Sequence, residues 1–198
     1  MWNERFAQEQ YAYGLEPNVF LVEQIQQLAL PTRRVLMLGE GEGRNGVYLA
    51  QQGYTVDAVD GSQMGQKKAL QLAKARQVSL NYTVADLAHY QIQGEYSLMV
   101  MIFCHLPPVI RQQLHQQMCK HLAPGGVILY LAYSPEQLQC GTGGPKQLDM
   151  LVSLNELQQD FAQLKPIVCQ QRQREIHEGL YHNGMADVVE LVASRSLR

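Results

Sequence analysis

The residues whose types and spacing can do chemistry begin at the glycine run Gly39-Glu40-Gly41-Glu42-Gly43-Arg44-Asn45-Gly46, followed by an acid at Asp60. Glycine lets a backbone turn sharply and lie close to a ligand, because no Cβ stands in the way. Asp60 comes at the end of an apolar segment, where a carboxylate can accept both hydroxyls of a ribose. Gly41-x-Gly43-x-x-Gly46 has the spacing of a dinucleotide-binding loop. The charges point elsewhere. A pyrophosphate needs the positive N-terminus of the following helix to itself, and here Glu40 and Glu42 bracket the loop with negative charge. A carboxylate at Glu40 suits a ligand bearing an ammonium and a sulfonium better than one bearing two phosphates. A nicotinamide-binding site stays open as the alternative.

The elements that must hold these residues can be read from periodicity. Val35 to Leu38 is four apolar residues in a row, a short strand covered on both faces. Asn45 to Gln52 reads as a helix stopped by Gly53, and Tyr54 to Val59 as the next strand. Ser62 caps a helix to about Gln77 with Ala69, Leu70 and Ala73 facing inward. Leu80, Tyr82 and Val84 alternate as a third strand that delivers Ala85-Asp86-Leu87. Asp86 is placed to accept the exocyclic amine of adenine, with Leu87 offering a backbone N–H; in isolation it reads equally well as an Asx turn. With Glu40 and Asp60 it makes a third acid at a third strand end.

Tyr96 to Phe103 is the best central strand. It ends in Cys104-His105-Leu106-Pro107-Pro108, at the topological switch point where such sheets bind ligands. His105 there either faces the reacting group or hydrogen-bonds to backbone, and Cys104 is a small wall residue. Pro107 and Pro108 open a helix in which Ile110, Leu114, Met118 and Leu122 repeat at i+4. Ala123-Pro124-Gly125-Gly126 is a turn before the strand Val127 to Leu131.

The flanks are less regular. Trp2 to Gln10 is a short polar and aromatic segment, and Glu16-Pro17-Asn18 opens a helix to about Leu30 with Phe20, Leu21, Ile25 and Leu28 on its apolar stripe. Tyr11 and Tyr13 either pack on the sheet or reach over a bound ligand. Residues 134–150 lack periodicity and read as a substrate-side loop. Ser153-x-x-Glu156 is a capping box for a helix with Leu154, Leu157 and Phe161 on one face. Two strands follow, about Ile167 to Ile176 and Met185 to Ser194, with Asn183-Gly184 as the hairpin turn.

Glu40-Gly41-Glu42-Gly43 resembles the first motif of class I S-adenosylmethionine-dependent methyltransferases. The N-terminal string from Trp2-Asn3-Glu4-Arg5-Phe6 to Tyr13-Gly14-x-x-Pro17-Asn18-x-Phe20-Leu21 resembles the lid of small bacterial tellurite-resistance and thiol methyltransferases. The resemblance implies an α/β fold: a doubly wound, Rossmann-like, seven-stranded and mostly parallel sheet with its last strand antiparallel and helices on both faces. It divides a single domain, 1–198, into an N-terminal helical lid (1–30), a cofactor-binding core (33–133), the loop 134–150, and a helix with a C-terminal hairpin (151–198). S-adenosylmethionine is the implied cofactor, becoming S-adenosylhomocysteine. Its binding set would be Tyr11, Gly39, Glu40, Gly41, Gly43 and Asn45 around the first loop; Asp60, Gly61 and Ser62 at the second strand; and Ala85, Asp86, Leu87, Phe103 and Cys104 at the third and fourth. His105, Arg44, Tyr13 and His182 are the candidate catalytic residues, with His177 the other hairpin histidine that could face the methyl donor. Arg44 either supplies positive charge to the acceptor or salt-bridges to Glu42.

Bulk properties narrow the partners. In 198 residues, 16 Lys and Arg stand against 18 Asp and Glu, with no basic block, which argues against nucleic acid or an anionic membrane, while the small size, with no added substrate domain expected, argues for a small-molecule acceptor. Apolar runs fall short of a spanning helix and no signal peptide opens the chain, so a cytoplasmic location is expected, with monomer and homodimer both open. Four scattered cysteines fit reduced thiols, and no metal spacing stands out. A non-catalytic S-adenosylmethionine sensor shares every cofactor residue and remains the second class of reading.

Overall fold

A computed structural model describes residues 2–197. Its centre is one seven-stranded sheet, built in chain order from β1 (Arg34–Leu38), β2 (Thr55–Asp60), β3 (Asn81–Val84), β4 (Tyr96–Ile102), β5 (Leu122–Tyr133), β6 (Lys165–Glu178) and β7 (His182–Ser194). The spatial order is β3-β2-β1-β4-β5-β7-β6. Strands β1 to β5 are mutually parallel, and β7 runs antiparallel between β5 and β6. The order reverses between β1 and β4, so the carboxyl ends of those two strands open a crevice between their outgoing loops.

Side-chain alternation along each strand divides the core in two. Val35 and Met37 of β1 join the face covered by α2 (Val19–Ile25), α3 (Arg44–Gln51) and α4 (Gln63–Ala75). Leu36 and Leu38 join the other face, under α5 (Pro108–His121) and α6 (Leu154–Asp160). All seven residues of β4 are buried, as a strand covered on both faces requires. The four cysteines are free thiols. Among the described residues no helix is long and apolar enough to cross a membrane.

Several local expectations are corrected. The helix after Pro17 begins at Val19, with the Asn18 carboxamide capping the Leu21 N–H, and it ends at Ile25 rather than Leu30. In α4 the buried stripe is Gly65, Lys68, Ala69, Leu72 and Ala73; Leu70 lies off that stripe and is exposed. Leu122 starts β5 instead of ending α5. The hairpin does not turn at Asn183-Gly184: these residues pair with His177 and Ile176, and Gly179, Leu180 and Tyr181 make the turn. Residues 134–150 contain two 3-10 turns, Pro135–Gln139 and Leu148–Met150. At the N-terminus, helix α1 (Trp2–Phe6) packs against α4, and the Leu180 N–H donates to the Ala12 carbonyl, which ties the segment after α1 to the hairpin turn.

Candidate active site

The β1 to α3 loop is built around its acids. Glu40 Oε1 accepts the Gly46 N–H at 2.6 Å, whereas Oε2 is buried with no partner among the described residues. Burial pushes the carboxyl up to about 8, against the pull of the Gly46 N–H and the Arg44 guanidinium. Asp60 Oδ2 accepts the Gly41 N–H at 3.0 Å and Oδ1 the Ser62 N–H at 2.9 Å; burial raises this carboxyl too. Two glycines are sterically required. A Cβ on Gly39, at φ +71°, would stand 2.5 Å from Cys104 Sγ, and one on Gly43, at φ +94°, 2.7 Å from the Ala69 Cα. Close approach of β1 to β4, and of the loop to α4, therefore depends on them.

Glu42 is committed to structure. It accepts the Ala12 N–H at 2.7 Å and pairs with Lys68 Nζ at 2.8 Å, fixing the N-terminal segment over α4. The expected Arg44 to Glu42 bridge is not formed: Arg44 Nη2 instead donates to Glu178 Oε2 at 2.7 Å, with both side chains buried. Asn18 donates to the other oxygen of Glu178 at 2.6 Å, and His182 Nδ1 lies 3.4 Å from Oε2. Burial alone would raise Glu178, but the His182 hydrogen bond and the Arg44 charge outweigh it and hold the carboxyl at about 2. Because that carboxylate can only accept, His182 Nδ1 carries the proton and Nε2 presents a lone pair.

At the switch point Phe103 sits at φ +50°, a strained conformation for a non-glycine residue, and turns the chain out of β4. Its ring stacks on Tyr133 at 4.6 Å and meets His182 edge-on at 4.9 Å. His105 Nδ1 lies 3.0 Å from the Met150 carbonyl, an acceptor only, so the proton is again on Nδ1. His105 Nε2 and the Tyr133 hydroxyl are closed off from solvent and have no partners among the described residues. Burial drives His105 down to about 4 and pushes the Cys104 thiol up.

Glu40, Asp60, Arg44, Phe103, His105 and His182 line one cavity of about 510 Å³, within the size range of small-molecule sites, roughly 300–1,000 Å³. Fifteen of the eighteen residues singled out from sequence lie on its wall: Gly39, Glu40, Gly41, Arg44, Asn45, Asp60, Gly61, Ala85, Asp86, Leu87, Phe103, Cys104, His105, Tyr13 and His182. Three do not. Tyr11 donates its hydroxyl to the Lys68 carbonyl, Gly43 caps α3 behind the loop, and Ser62 is buried as the cap of α4. Asp86 is the Asx turn, accepting the Ala88 N–H at 2.9 Å and facing His89 Nδ1 at 3.1 Å, while its carboxyl stays largely exposed at the cavity edge. His177 is exposed and pairs with Glu175; of the two hairpin histidines only His182 faces the cavity. Trp2 and Phe6 of the N-terminal lid string also line the wall, outside the candidate binding set. Their i, i+4 spacing on a short N-terminal helix was the available signal.

Comparison with known proteins agrees with this geometry. Residues 35–126 match the methyltransferase domain family. A tRNA (uracil(54)-C(5))-methyltransferase of Pyrococcus abyssi (strain GE5 / Orsay) is 28% identical over 149 residues, 68% of this chain and 35% of the relative, so the chain spans about a third of the curated relative it matches. TehB from Haemophilus influenzae superposes with a TM-score of 0.75 at 17% identity, over 98% of this chain and 66% of that one. The N-methyltransferase NodS from Bradyrhizobium japonicum WM9, in complex with S-adenosyl-L-homocysteine, superposes with a TM-score of 0.69 at 16% identity, over 98% of this chain and 96% of its own. The fold is that of these proteins.

Proposed function

We propose, on the premise that residues 35–126 are a methyltransferase domain with the class I S-adenosylmethionine-dependent fold, that the chain methylates a small-molecule acceptor, either a thiol or a chalcogen oxyanion. The observation that carries this reading is Glu40 Oε2: a carboxyl oxygen, buried and without a partner among the described residues, in a side chain on the wall of the cavity. An unpaired buried polar atom costs about 1–3 kcal/mol, more when charged, so its natural complement is a ligand cation such as an α-ammonium group. Glu40 would take that ammonium, Asp60 the ribose hydroxyls, and Asp86 and Leu87 the adenine edge.

When bound, S-adenosylmethionine supplies an electrophilic methyl group on a sulfonium. The chain's own residues orient and dry the reacting pair. Phe6 and Trp2 from the N-terminal segment, with Ile102 at the end of β4 and Phe103 just beyond it, give the wall apolar surface, and Tyr13 and His182 meet at 4.4 Å between their ring centroids. Such enclosure favours near-attack geometry and strengthens charge interactions inside the site. The same carboxylates disfavour a dinucleotide, whose pyrophosphate would meet Glu40 and Asp60. A formal net charge of −2 supports a small acceptor over a polyanionic one.

Calorimetric titration with S-adenosylhomocysteine and with NAD tests the reading. Adenosyl-ligand binding with no NAD signal is expected, weakened about 10- to 100-fold in Asp60→Ala, the equivalent of one charged hydrogen-bonding group at about 1.5–3 kcal/mol. NAD binding without the adenosyl ligand would overturn it.

A further inference from the structure

We infer that Tyr82, which is not part of the cavity wall, is a positioning residue for the methyl donor: its hydroxyl fixes the Gly41 peptide and through it holds Glu40 and Asp60 in register for one ligand. This rests on the reading that the cavity takes an adenosyl donor and adds a residue on which that binding depends.

Gly41 lies in the turn between β1 and α3, and neither its N–H nor its carbonyl has a backbone partner among the described residues. The N–H donates to Asp60 Oδ2 at 3.0 Å, and the carbonyl accepts the Tyr82 hydroxyl at 2.6 Å. Two side chains from two other strands therefore set the orientation of a residue that stands at φ +61° and has no side chain of its own to anchor it. Gly41 follows Glu40 in the chain and is hydrogen-bonded to Asp60. It is the joint between the acid assigned to the ligand's ammonium and the acid assigned to its ribose.

The sheet brings Tyr82 to this joint from a distance. Tyr82 stands on β3, the edge strand, directly opposite Ala58 of β2, which is itself opposite Met37 of β1. Its hydroxyl reaches a carbonyl beyond the end of β1, so the ring spans β2 to get there. Ala58 is fully buried and ends at Cβ, which leaves the ring its path. Gln66 of α4 donates to the Tyr82 carbonyl at 2.8 Å and ties this part of β3 to the helix above it.

The Gly41 carbonyl has little freedom to find another donor. A Cβ on Gly65 of α4 would stand 2.8 Å from its oxygen, and one on Gly41 itself 3.3 Å from the Phe6 ring, so helix and N-terminal segment both press on this turn. Burial, with the Asp60, Glu40 and Glu42 carboxyls adding to it, raises the Tyr82 hydroxyl, which keeps its proton and stays a donor across the neutral range. Removing the hydroxyl leaves the carbonyl unpaired and lets the peptide rotate away from Asp60. The loss falls on donor binding, because Tyr82 touches neither reacting group.

Calorimetric titration of the full chain with S-adenosylhomocysteine tests this. Tyr82→Phe should bind about 5- to 20-fold more weakly at full stoichiometry, the effect of one buried hydrogen bond. In an Asp60→Ala background the same substitution should cost no more than about twofold, since the peptide it steadies no longer has Asp60 to meet. A merely structural role would instead lower stoichiometry or Tm and give equal penalties in both backgrounds. Affinity within twofold of wild type in Tyr82→Phe, lost stoichiometry at unchanged affinity, or equal penalties in the two backgrounds would overturn the inference. If Tyr82→Phe does not fold, NMR of the wild-type chain labelled at tyrosine Cζ decides: the Tyr82 resonance should shift when S-adenosylhomocysteine binds, and an unshifted resonance would overturn the inference. Absence of S-adenosylhomocysteine binding by the wild type would strike the adenosyl-donor reading itself.

Discussion

Glu40 makes the site sensitive to protons in a way that can be measured. Its carboxyl stands at about 8 in the folded chain against an ordinary 4.5, because it is buried with one oxygen unpaired. Since the folded value is the higher one, the unfolded chain gives up this proton first. Ligand-free stability therefore falls as pH rises from 4.5 to 8 and levels off above. A difference of 8 − 4.5 = 3.5 units corresponds to a loss on the order of 5 kcal/mol over that window. A ligand ammonium placed against Oε2 reverses the balance and expels the proton. At pH 7 a group titrating at 8 is roughly nine-tenths protonated, so binding S-adenosylhomocysteine should release close to one proton. Calorimetry in two buffers of different ionisation enthalpy reads that number directly. Glu40→Gln should abolish the release and flatten the stability profile between pH 5 and 8. A release near zero in the wild type, or one that survives in Glu40→Gln, would refute the assignment of the ammonium to this oxygen.

Other perturbations test the scaffold. Gly43→Ala places a Cβ 2.7 Å from the Ala69 backbone at φ +94°, and should cost about 1–3 kcal/mol of stability with a corresponding drop in Tm. Arg111→Met removes a buried guanidinium that holds Glu156 and the Leu151 carbonyl, next to the Met150 carbonyl that fixes His105; a loss of about 2–4 kcal/mol in denaturant unfolding is expected. Cys104, whose thiol burial pushes up, should resist iodoacetamide in the native chain while Cys140 on the 134–150 loop is alkylated, as mass spectrometry would show. Alkylation of Cys104 first would mean that the switch point opens far more readily than its packing indicates.

The strand-end acids were legible in sequence because Glu40 and Asp60 follow largely apolar strands and Asp86 follows the alternation of Leu80, Tyr82 and Val84, so the strand ends are easy to place. Glu40, Asp60 and Asp86 accordingly all reach the cavity. The partner of Arg44 was not legible, since Glu178 lies 134 residues away, at the far end of the edge strand β6, and nothing local in the sequence couples the two. Local sequence offered Glu42 instead, which the N-terminal segment and Lys68 had already claimed. The Asn183-Gly184 signal failed for a related reason. A turn there would put Glu178 and His182 on the same strand, whereas in the fold they pair across the hairpin with both side chains buried. Tertiary pairing overrode a strong local turn preference. Leu70 is exposed although apolar, because it lies off the stripe through Gly65, Lys68 and Leu72 that the i, i+3, i+4 spacing defines.

The central claim is that this cavity holds an adenosyl sulfonium donor. A crystal structure of the chain with S-adenosylhomocysteine tests it most directly. The ligand's amino group is expected at Glu40 Oε2, its ribose at Asp60 and its sulfur on the side of Phe103 and His182. A ligand bound outside the cavity, or one whose ribose leaves Asp60 bonded only to Gly41 and Ser62, would contradict it.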